Sequence, residues 1–465
     1  MITPLLLAFS KGVIFLGGIM NIPQVLNKSL EILKSITNNV DDLAILNCLN
    51  AKFANMITQK SILFRQYSNS SPRTLSYYAI NFQPSGSSKD LVVDSINDYL
   101  MPFIKQEIEE KIENYKNTFE LKNPELNSKQ VREELAKVRT ANFELSNCTF
   151  SGLYKECYQL DKMGFGSICI RMSELGDFIS QAQAGDKGKA ELFGKLKELY
   201  EGSVMPSIIS GESNRKILNN INIQAIMYTD FHNLFDEKVK DYFIASLTTG
   251  LARRSYVFIP TSEENTKLGY IIPYEEKERQ FELARGLQKD IKSIYDSITP
   301  NTIYSLSEES KQMLVDYQNS CIDYFNNSKD NKIVKLEKLN SFWKITKLAV
   351  VYSVIDNPTS IFVGAKYVQM AIDFYKAISP SLKKVIEKRK KSEIELYAEY
   401  IANNKDDIIT RTDLRNLNIV NGTKFKRFFD EHFEEIKEEV EANYGLLLYP
   451  YEGRGNVRAY QCVKK

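Results

Sequence analysis

Three things are scarce in this 465-residue chain, and each scarcity removes a class of function. Histidine is nearly missing, with only His232 and His432, and the six cysteines (Cys48, Cys148, Cys157, Cys169, Cys321, Cys462) are scattered. No close C-x-x-C pair exists, so neither a zinc module nor a disulfide framework is expected, and reduced thiols in a cytoplasmic protein are the simpler account. Charge of one sign is also missing: 61 Lys and Arg stand against 59 Asp and Glu, a net charge of +2. Any polyanion partner must therefore be met by a local patch, not by the field of the whole molecule. Long apolar runs are absent too, so no membrane span is expected. The first 20 residues hold two short apolar runs split by Ser10 and Lys11, without a basic start or a small-residue cleavage site. They read as an apolar N-terminal helix, or as a stretch upstream of a start at Met20, and not as a secretory signal.

What remains is an ordinary globular composition, 43% hydrophobic and 26% charged, in a chain long enough for two or three domains. Residues 21–70 carry apolar positions at helical spacing (Val25, Leu26, Leu30, Ile32, Leu33). The run LSYYAINF (75–82) reads as a strand, the polar stretch after it as a turn, and residues 91–117 as a helix. Charged helices cover 108–140, with a solvated surface as their plain explanation. GSICIRM (166–172), NIQAIMYT (222–229) and SYVFIP (255–260) are further buried-strand candidates separated by helical segments. Strands alternating with helices predict a largely parallel α/β sheet. From about Glu275 to Ile378 the pattern is helical throughout. A basic run, KKVIEKRKK (383–391), then leads to a small module at 392–465, read as three helices and a β-hairpin in winged-helix order, with Thr412 as a candidate N-cap. The expected divisions are 1–60, 61–270, 271–380 and 392–465.

The turn after the first strand has chemical interest. A phosphate-binding loop needs a strand, a turn exposing backbone N–H groups, a helix N-terminus, a lysine for the β/γ-phosphates and a hydroxyl for magnesium. Here Gln83-Pro84-Ser85-Gly86-Ser87-Ser88-Lys89-Asp90 supplies the context and the lysine, but both pattern glycines are replaced and the hydroxyl is a carboxylate. A polar turn capping a helix is the bland alternative. The strand ICIRM ends in Ser173-Glu174, where an ATPase strand normally ends in Asp-Glu. Ser173 would take the metal-side position, and Glu174 that of the carboxylate orienting the attacking water. Together Asp90 and Ser173 read as a carboxylate and a hydroxyl that have exchanged sides of a magnesium site; two independent losses are the competing explanation. Arg253 and Arg254 could stabilise charge on a transferring phosphate from a neighbouring subunit, or simply pair with surface carboxylates. Thr229 is placed to sense a γ-phosphate, or to cap the next segment of chain.

In order and spacing, QPSGSSKD, TFSGLYKECYQL…GFGSICIRMSELGDFI, INIQAIMYT, LTTGLARRSYVF, SFWKITKLAVVYSV and VQMAIDFY resemble a family of phage- and plasmid-borne primase–helicase-type P-loop ATPases. The similarity covers roughly residues 60–380. It implies a RecA-like P-loop ATPase core with helical N- and C-terminal extensions, ATP and Mg2+ as cofactors, a homo-oligomeric ring (a hexamer is the usual size) and movement on single-stranded DNA in a bacterial host cytoplasm. A separate primase or polymerase would be the partner, since 60 residues cannot hold a primase domain. Carried over by position, Lys89 contacts phosphates, Glu174 is the catalytic base, and Arg253 or Arg254 is the finger.

For DNA contact the tail offers Arg411, Arg415, Lys424, Lys426 and Arg427, with Arg454 and Arg458 on the wing. The acidic run at 431–442 lies beside them, and winged helices also serve as protein–protein modules. The competing functional reading is an ATPase-derived initiator, loader or regulator that has lost turnover.

Overall fold

The strands of the core are apolar on both faces, which is the pattern of a sheet covered on both sides. In the computed structural model Tyr78–Phe82, Ser167–Met172 and Asn222–Thr229 are buried at every position. The structure describes residues 13–15, 18–37, 41–67, 69–83, 87–137, 142–203, 217–229, 250–251, 253–260, 273–381, 383, 393–405, 407–451 and 459–464.

β1 (Val13–Phe15) and β2 (Gly18–Met20) form an antiparallel pair, which replaces the expected N-terminal helix over these residues. Two helices follow, α1 (Gln24–Thr37) and α2 (Asp42–Thr58). Short strand β3 (Leu63–Arg65) precedes the central strand β4 (Tyr78–Phe82). Beyond it come α3 (Lys89–Ser95), a π-helical turn at Ile96–Leu100, α4 (Pro102–Lys122), α5 (Ser128–Lys137) and β5 (Glu144–Ser146). Then follow α6 (Phe150–Lys162), β6 (Ser167–Met172), α7 (Leu175–Gln183), α8 (Lys187–Leu199), β7 (Asn222–Thr229) and β8 (Ser255–Phe258). The five strands β5-β6-β7-β4-β8 lie side by side in that order, all parallel. A mixed α/β core with a central parallel sheet is thus established, compatible with a Rossmann- or RecA-like arrangement.

Helix α2 belongs to this core. Fifteen of its residues, Ala44 through Thr58, are buried, polar ones included. Its polar side chains meet polar groups on one face of the sheet. Asn47 Nδ2 donates to Asn81 Oδ1 (2.8 Å) and Asn47 Oδ1 accepts from Tyr77 OH (2.7 Å), while Ser167 Oγ donates to Asn55 Oδ1 (2.8 Å). Satisfied buried pairs of this kind set one register, because a slipped helix would strand each of them in a dry interior. The opposite face of β4 turns Tyr78 OH to the carbonyl of Leu196 at the end of α8. Gly166 allows β6 to begin so close to α2, since a Cβ there would stand 2.6 Å from Ser61 Cα and 2.7 Å from Thr58 O.

The segment expected to be helical throughout is interrupted twice. Ile303–Leu306 (β9) and Phe362–Val363 (β10) pair in parallel and extend β3 into a second small sheet in the order β10-β9-β3. Both insertions are too short for a period to emerge. The helices around them run Tyr274–Ser297, Glu308–Asn327, Lys332–Asp356 and Ala365–Ile378. No helix among the described residues is long and apolar enough to cross a membrane.

The chain divides into two compact units, Met1–Ser328 with Ile333–Lys384, and Lys329–Lys332 with Val385–Lys465. In the second, helices Glu393–Asn403, Arg411–Asn416 and Phe425–Tyr444 pack on a three-stranded antiparallel sheet in which β11 (Ile409–Thr410) pairs with β13 (Ala459–Lys464) and β13 with β12 (Leu446–Tyr451). Thr410, not Thr412, caps the short helix. It forms a reciprocal capping box with Asp413, whose carboxylate position three residues on is what that motif requires.

Helix Lys332–Asp356 buries nearly every side, lysines included. Lys344 is neutralised by Glu337 and also donates to Ser255 O (2.9 Å). Lys347 donates to Tyr200 O (3.0 Å) and sits 3.5 Å from the centre of that ring, with no carboxylate of the described residues in ion-pair range. Burial is the main cause that pushes its ammonium down from 10.5 to about 7, with Glu201 opposing and Arg254 and Arg73 assisting. The folded state therefore binds this proton less readily than the unfolded chain. The penalty is full below pH 7 and is relieved as pH rises from about 7 to 10.5. Lys347→Met is expected to stabilise the protein by about 2 kcal/mol or more near pH 6. It should also flatten the rise in stability between pH 6 and 9 on chemical denaturation; an unchanged pH profile would show that the amine is charged in place.

Candidate functional site

Strand order places a topological switch point at one end of the main sheet. From β4 the chain travels past β7 and β6 to the far edge at β5, returns through β6 to β7, and then crosses β4 to reach β8. Connections that run in opposite directions along a parallel sheet leave it on opposite faces if both are right-handed. The helices after β4 and β6, α3 and α7, thus leave on opposite faces, and the region beyond the carboxyl ends of such strands is where open α/β sheets bind ligands.

Gln83 closes the end of β4. Its N–H donates to Thr229 O (3.0 Å), and its side chain donates to Asp41 Oδ2 (3.1 Å), at the start of α2. Thr229 is fully buried at the end of β7. Pro84, Ser85 and Gly86 lie outside the described residues. The turn re-enters at Ser87 and Ser88; Ser88 is left-handed (φ 59°) and delivers the chain into α3. Such a backbone is uncommon for a residue with a Cβ and takes a position more often given to glycine.

Lys89 opens α3 with a buried side chain, 6% exposed, and its ammonium meets Glu174 Oε1 at 2.6 Å. Glu174 is the first residue beyond the β6 turn and the N-cap of α7. Two residues 85 positions apart therefore converge over the strand ends. Two polar atoms beside them are buried without a hydrogen-bond partner among the described residues: Ser87 Oγ and Glu174 Oε2. Orphaned buried oxygens are costly, by roughly 1–3 kcal/mol each, and mark places where a further donor fits.

Asp90 and Ser173 also meet, with Ser173 Oγ donating to Asp90 Oδ1 at 2.7 Å. The same oxygen accepts from Arg171 Nη2 at 2.8 Å, and Arg171 Nη1 reaches Asp94 Oδ1 at 2.5 Å and Glu144 Oε1 at 3.4 Å. Glu144 in turn pairs with Lys52 of α2. Sequence alone gives Arg171 no role, because a charged residue inside an apolar strand has no motif to mark it. Its one signal is being the only charge in ICIRM. Burial raises the Asp90 carboxyl, but the bonds from Arg171 and Ser173 outweigh it and hold the group below the usual range. Glu144 is lowered likewise, with the Lys52 and Arg171 charges overcoming its desolvation.

Arg253 and Arg254 precede β8 and so stand at the opposite, amino end of the strands. Arg254 reaches Glu201 at 3.5 Å and its own Gly250 O at 3.2 Å. Within one chain the structure does not bring either arginine to Lys89, because their strand enters the sheet where the lysine's strand also begins.

In the second unit Arg411 is committed to the fold: it pairs with Asp430, donates to Tyr460 OH (3.2 Å) and covers the Phe429 ring. Arg415, Lys424, Lys426 and Arg427 are exposed, Arg427 pairing with Glu431 at 2.8 Å. Arg454 and Arg458 lie outside the described residues.

No protein-family model matches the chain, and no curated protein matches it at a significant level.

The Arg171 network yields a test. Arg171→Met would leave three carboxylates facing one another without their common cation, and is expected to cost about 2–4 kcal/mol at pH 7. Because Asp90 and Glu144 have folded values below their ordinary 3.8 and 4.5, the wild-type advantage is full above those ordinary values and is lost progressively as pH falls from there through the lowered folded values. The gap between variant and wild type should therefore begin to narrow below about pH 4.5 in denaturant titrations and close only at still lower pH, once both carboxylates are protonated in the folded state. A constant gap across pH would place the loss in packing.

Proposed function

We propose that the chain is a nucleoside-triphosphate-binding ATPase with a P-loop, RecA-like core, working on single-stranded DNA in the replication of a mobile element. The observation that carries the reading is the 2.6 Å contact between Lys89 and Glu174 beyond the ends of parallel strands. A lysine after one strand and a glutamate after another are the two charges that phosphoanhydride hydrolysis calls for, one to hold the β/γ-phosphates and one to orient water.

The remaining expected residues are assigned accordingly. Ser87, Ser88 and the turn before them would face phosphates, with Gln83 and Thr229 beneath. ATP would be held with Mg2+, and the donor set fits that ion. Asp90 and Ser173 lie 2.7 Å apart, close to the separation of neighbouring ligands on a small octahedral cation. Few protein ligands suffice when phosphates and waters complete the shell, and the ion would supply charge neutralisation along the phosphate chain. Arg171 shares Asp90 and keeps it ionised. Arg253 or Arg254 could act only on a neighbouring copy, in keeping with a homo-oligomeric ring.

The C-terminal unit has the element order of a winged helix, and Arg415, Lys424, Lys426 and Arg427 would be its phosphate-facing residues. A second reading takes residues 393–465 by themselves, without the basic run at 388–391 of the same unit: they carry fourteen carboxylates against eleven basic side chains, a net of −3. An acidic module suits protein contacts, as in an initiator, loader or regulator that binds nucleotide without sustained turnover.

The expected result is ATP hydrolysis that rises with single-stranded DNA and falls by about 100-fold or more in Lys89→Ala and in Glu174→Gln. ATP binding without hydrolysis in the wild type would select the second reading; hydrolysis indifferent to both substitutions would defeat the site assignment.

A further inference from the structure

The ion pair that marks the proposed site also obstructs it. Lys89 is deeply buried and cannot follow a ligand outward, whereas the Glu174 side chain is 36% exposed and has room to move. With the carboxylate in place, the ammonium is neutralised by Glu174 at 2.6 Å and offers little to an incoming phosphate. The closed arrangement is also incomplete in its hydrogen bonding. Glu174 Oε2 and Ser87 Oγ are both buried and unpartnered among the described residues, so the contact is held by one oxygen alone.

We propose that the Lys89–Glu174 contact is an autoinhibitory latch, in which a phosphate group and Glu174 compete for a single buried ammonium. This rests on the nucleotide reading above. Arrival of phosphate at Lys89 displaces the glutamate, and only then is its carboxylate available to accept a hydrogen bond from water. Phosphate binding competes with the ion pair, so the empty site keeps its base bonded to the lysine and its lysine away from stray anions. Ser87 Oγ, two residues before the lysine, would gain a partner in the phosphate oxygens. The latch ties nucleotide occupancy to release of the base by electrostatics: the like charges of the phosphate and Glu174 repel, so the two compete for the Lys89 ammonium.

A double-mutant cycle on the full chain separates this from other effects. The probe is methylanthraniloyl-ATP with magnesium, read by fluorescence anisotropy on wild type, Glu174→Gln, Lys89→Met and the double variant, with thermal melting as a folding control. Glu174→Gln is expected to bind about ten-fold more tightly than wild type, and Lys89→Met at least about ten-fold more weakly. In the Lys89→Met background the Glu174 substitution should have no effect. Equal or weaker binding by Glu174→Gln, while wild type binds, overturns the latch and leaves the nucleotide reading standing. The same tightening in both backgrounds also overturns it, since removal of a negative charge would then act without the lysine. If Glu174→Gln fails to fold, Glu174→Ala takes its place in the cycle. Absence of binding in every folded chain, wild type included, removes the nucleotide reading and the latch together.

Discussion

One topological constraint underlies everything at the candidate site: β4 lies between β7 and β8, not beside β5. A chain that leaves the middle of a parallel sheet for its far edge must return over the other face, so the loops flanking the crossing point separate. The gap so formed lets Lys89, entering from the α3 side, and Glu174, entering through α7, approach over the strand ends. Had the five strands followed sequence order, successive loops would lie on one face, and the two charges would have had no shared crevice. Helix α2 is what makes the arrangement rigid. Its asparagines, threonine and lysine pair with groups on β4, β5, β6 and β7, so one helix indexes four strands.

The electrostatics of the crevice are a competition among few charges. Lys52, Lys89 and Arg171 face Asp90, Asp94, Glu144 and Glu174, leaving the cluster one charge negative. A triphosphate entering alone would meet the wrong sign, so the balance itself calls for an accompanying cation. The partly exposed Asp90 and the Ser173 hydroxyl beside it are where such a cation would find oxygen. A site with a serine at the helix and an aspartate on the strand would carry the same count. Such an exchange would preserve charge, and the hydrogen bond between Ser173 and Asp90 puts the two groups in contact.

Much of the sheet was legible because its long strands are dominated by apolar and aromatic residues. Asn222–Thr229 was delimited to the residue, and the strands ending at Phe82 and Met172 nearly so. The short ones were not. Glu144–Ser146 carries a glutamate and a serine and is a strand only through its pairing with β6, while β9 and β10 lie within long helical patterns. At the site, residues adjacent to strand ends could be read from their motif-like spacing. Arg171 could not, since its meaning comes entirely from three carboxylates contributed by other elements. The role of Arg411 within the fold was hidden in the same way. Basic residues in a small helical module look like nucleic-acid contacts until their partners, here Asp430 and Tyr460, are seen.

The C-terminal unit presents the same question of partners on a larger scale. Its longest helix, Phe425–Tyr444, begins among Lys424, Lys426 and Arg427 and then carries Asp430, Glu431, Glu434, Glu435, Glu438, Glu439 and Glu441 against Lys437 alone. Carboxylates in the last turns oppose the helix dipole, so they are not there for the helix's own stability. The buried side, Phe425, Phe429, Ile436 and Val440, accounts for the fold. A duplex lying along this whole helix would bring phosphates against six glutamates, a repulsion that three basic residues at one end could not offset. Any contact with nucleic acid would be confined by this charge gradient to the first turn and the residues just before it. The remaining two-thirds of the helix is electrostatically suited only to basic or neutral surfaces, and this asymmetry sets the orientation in which the unit can meet any polyanion.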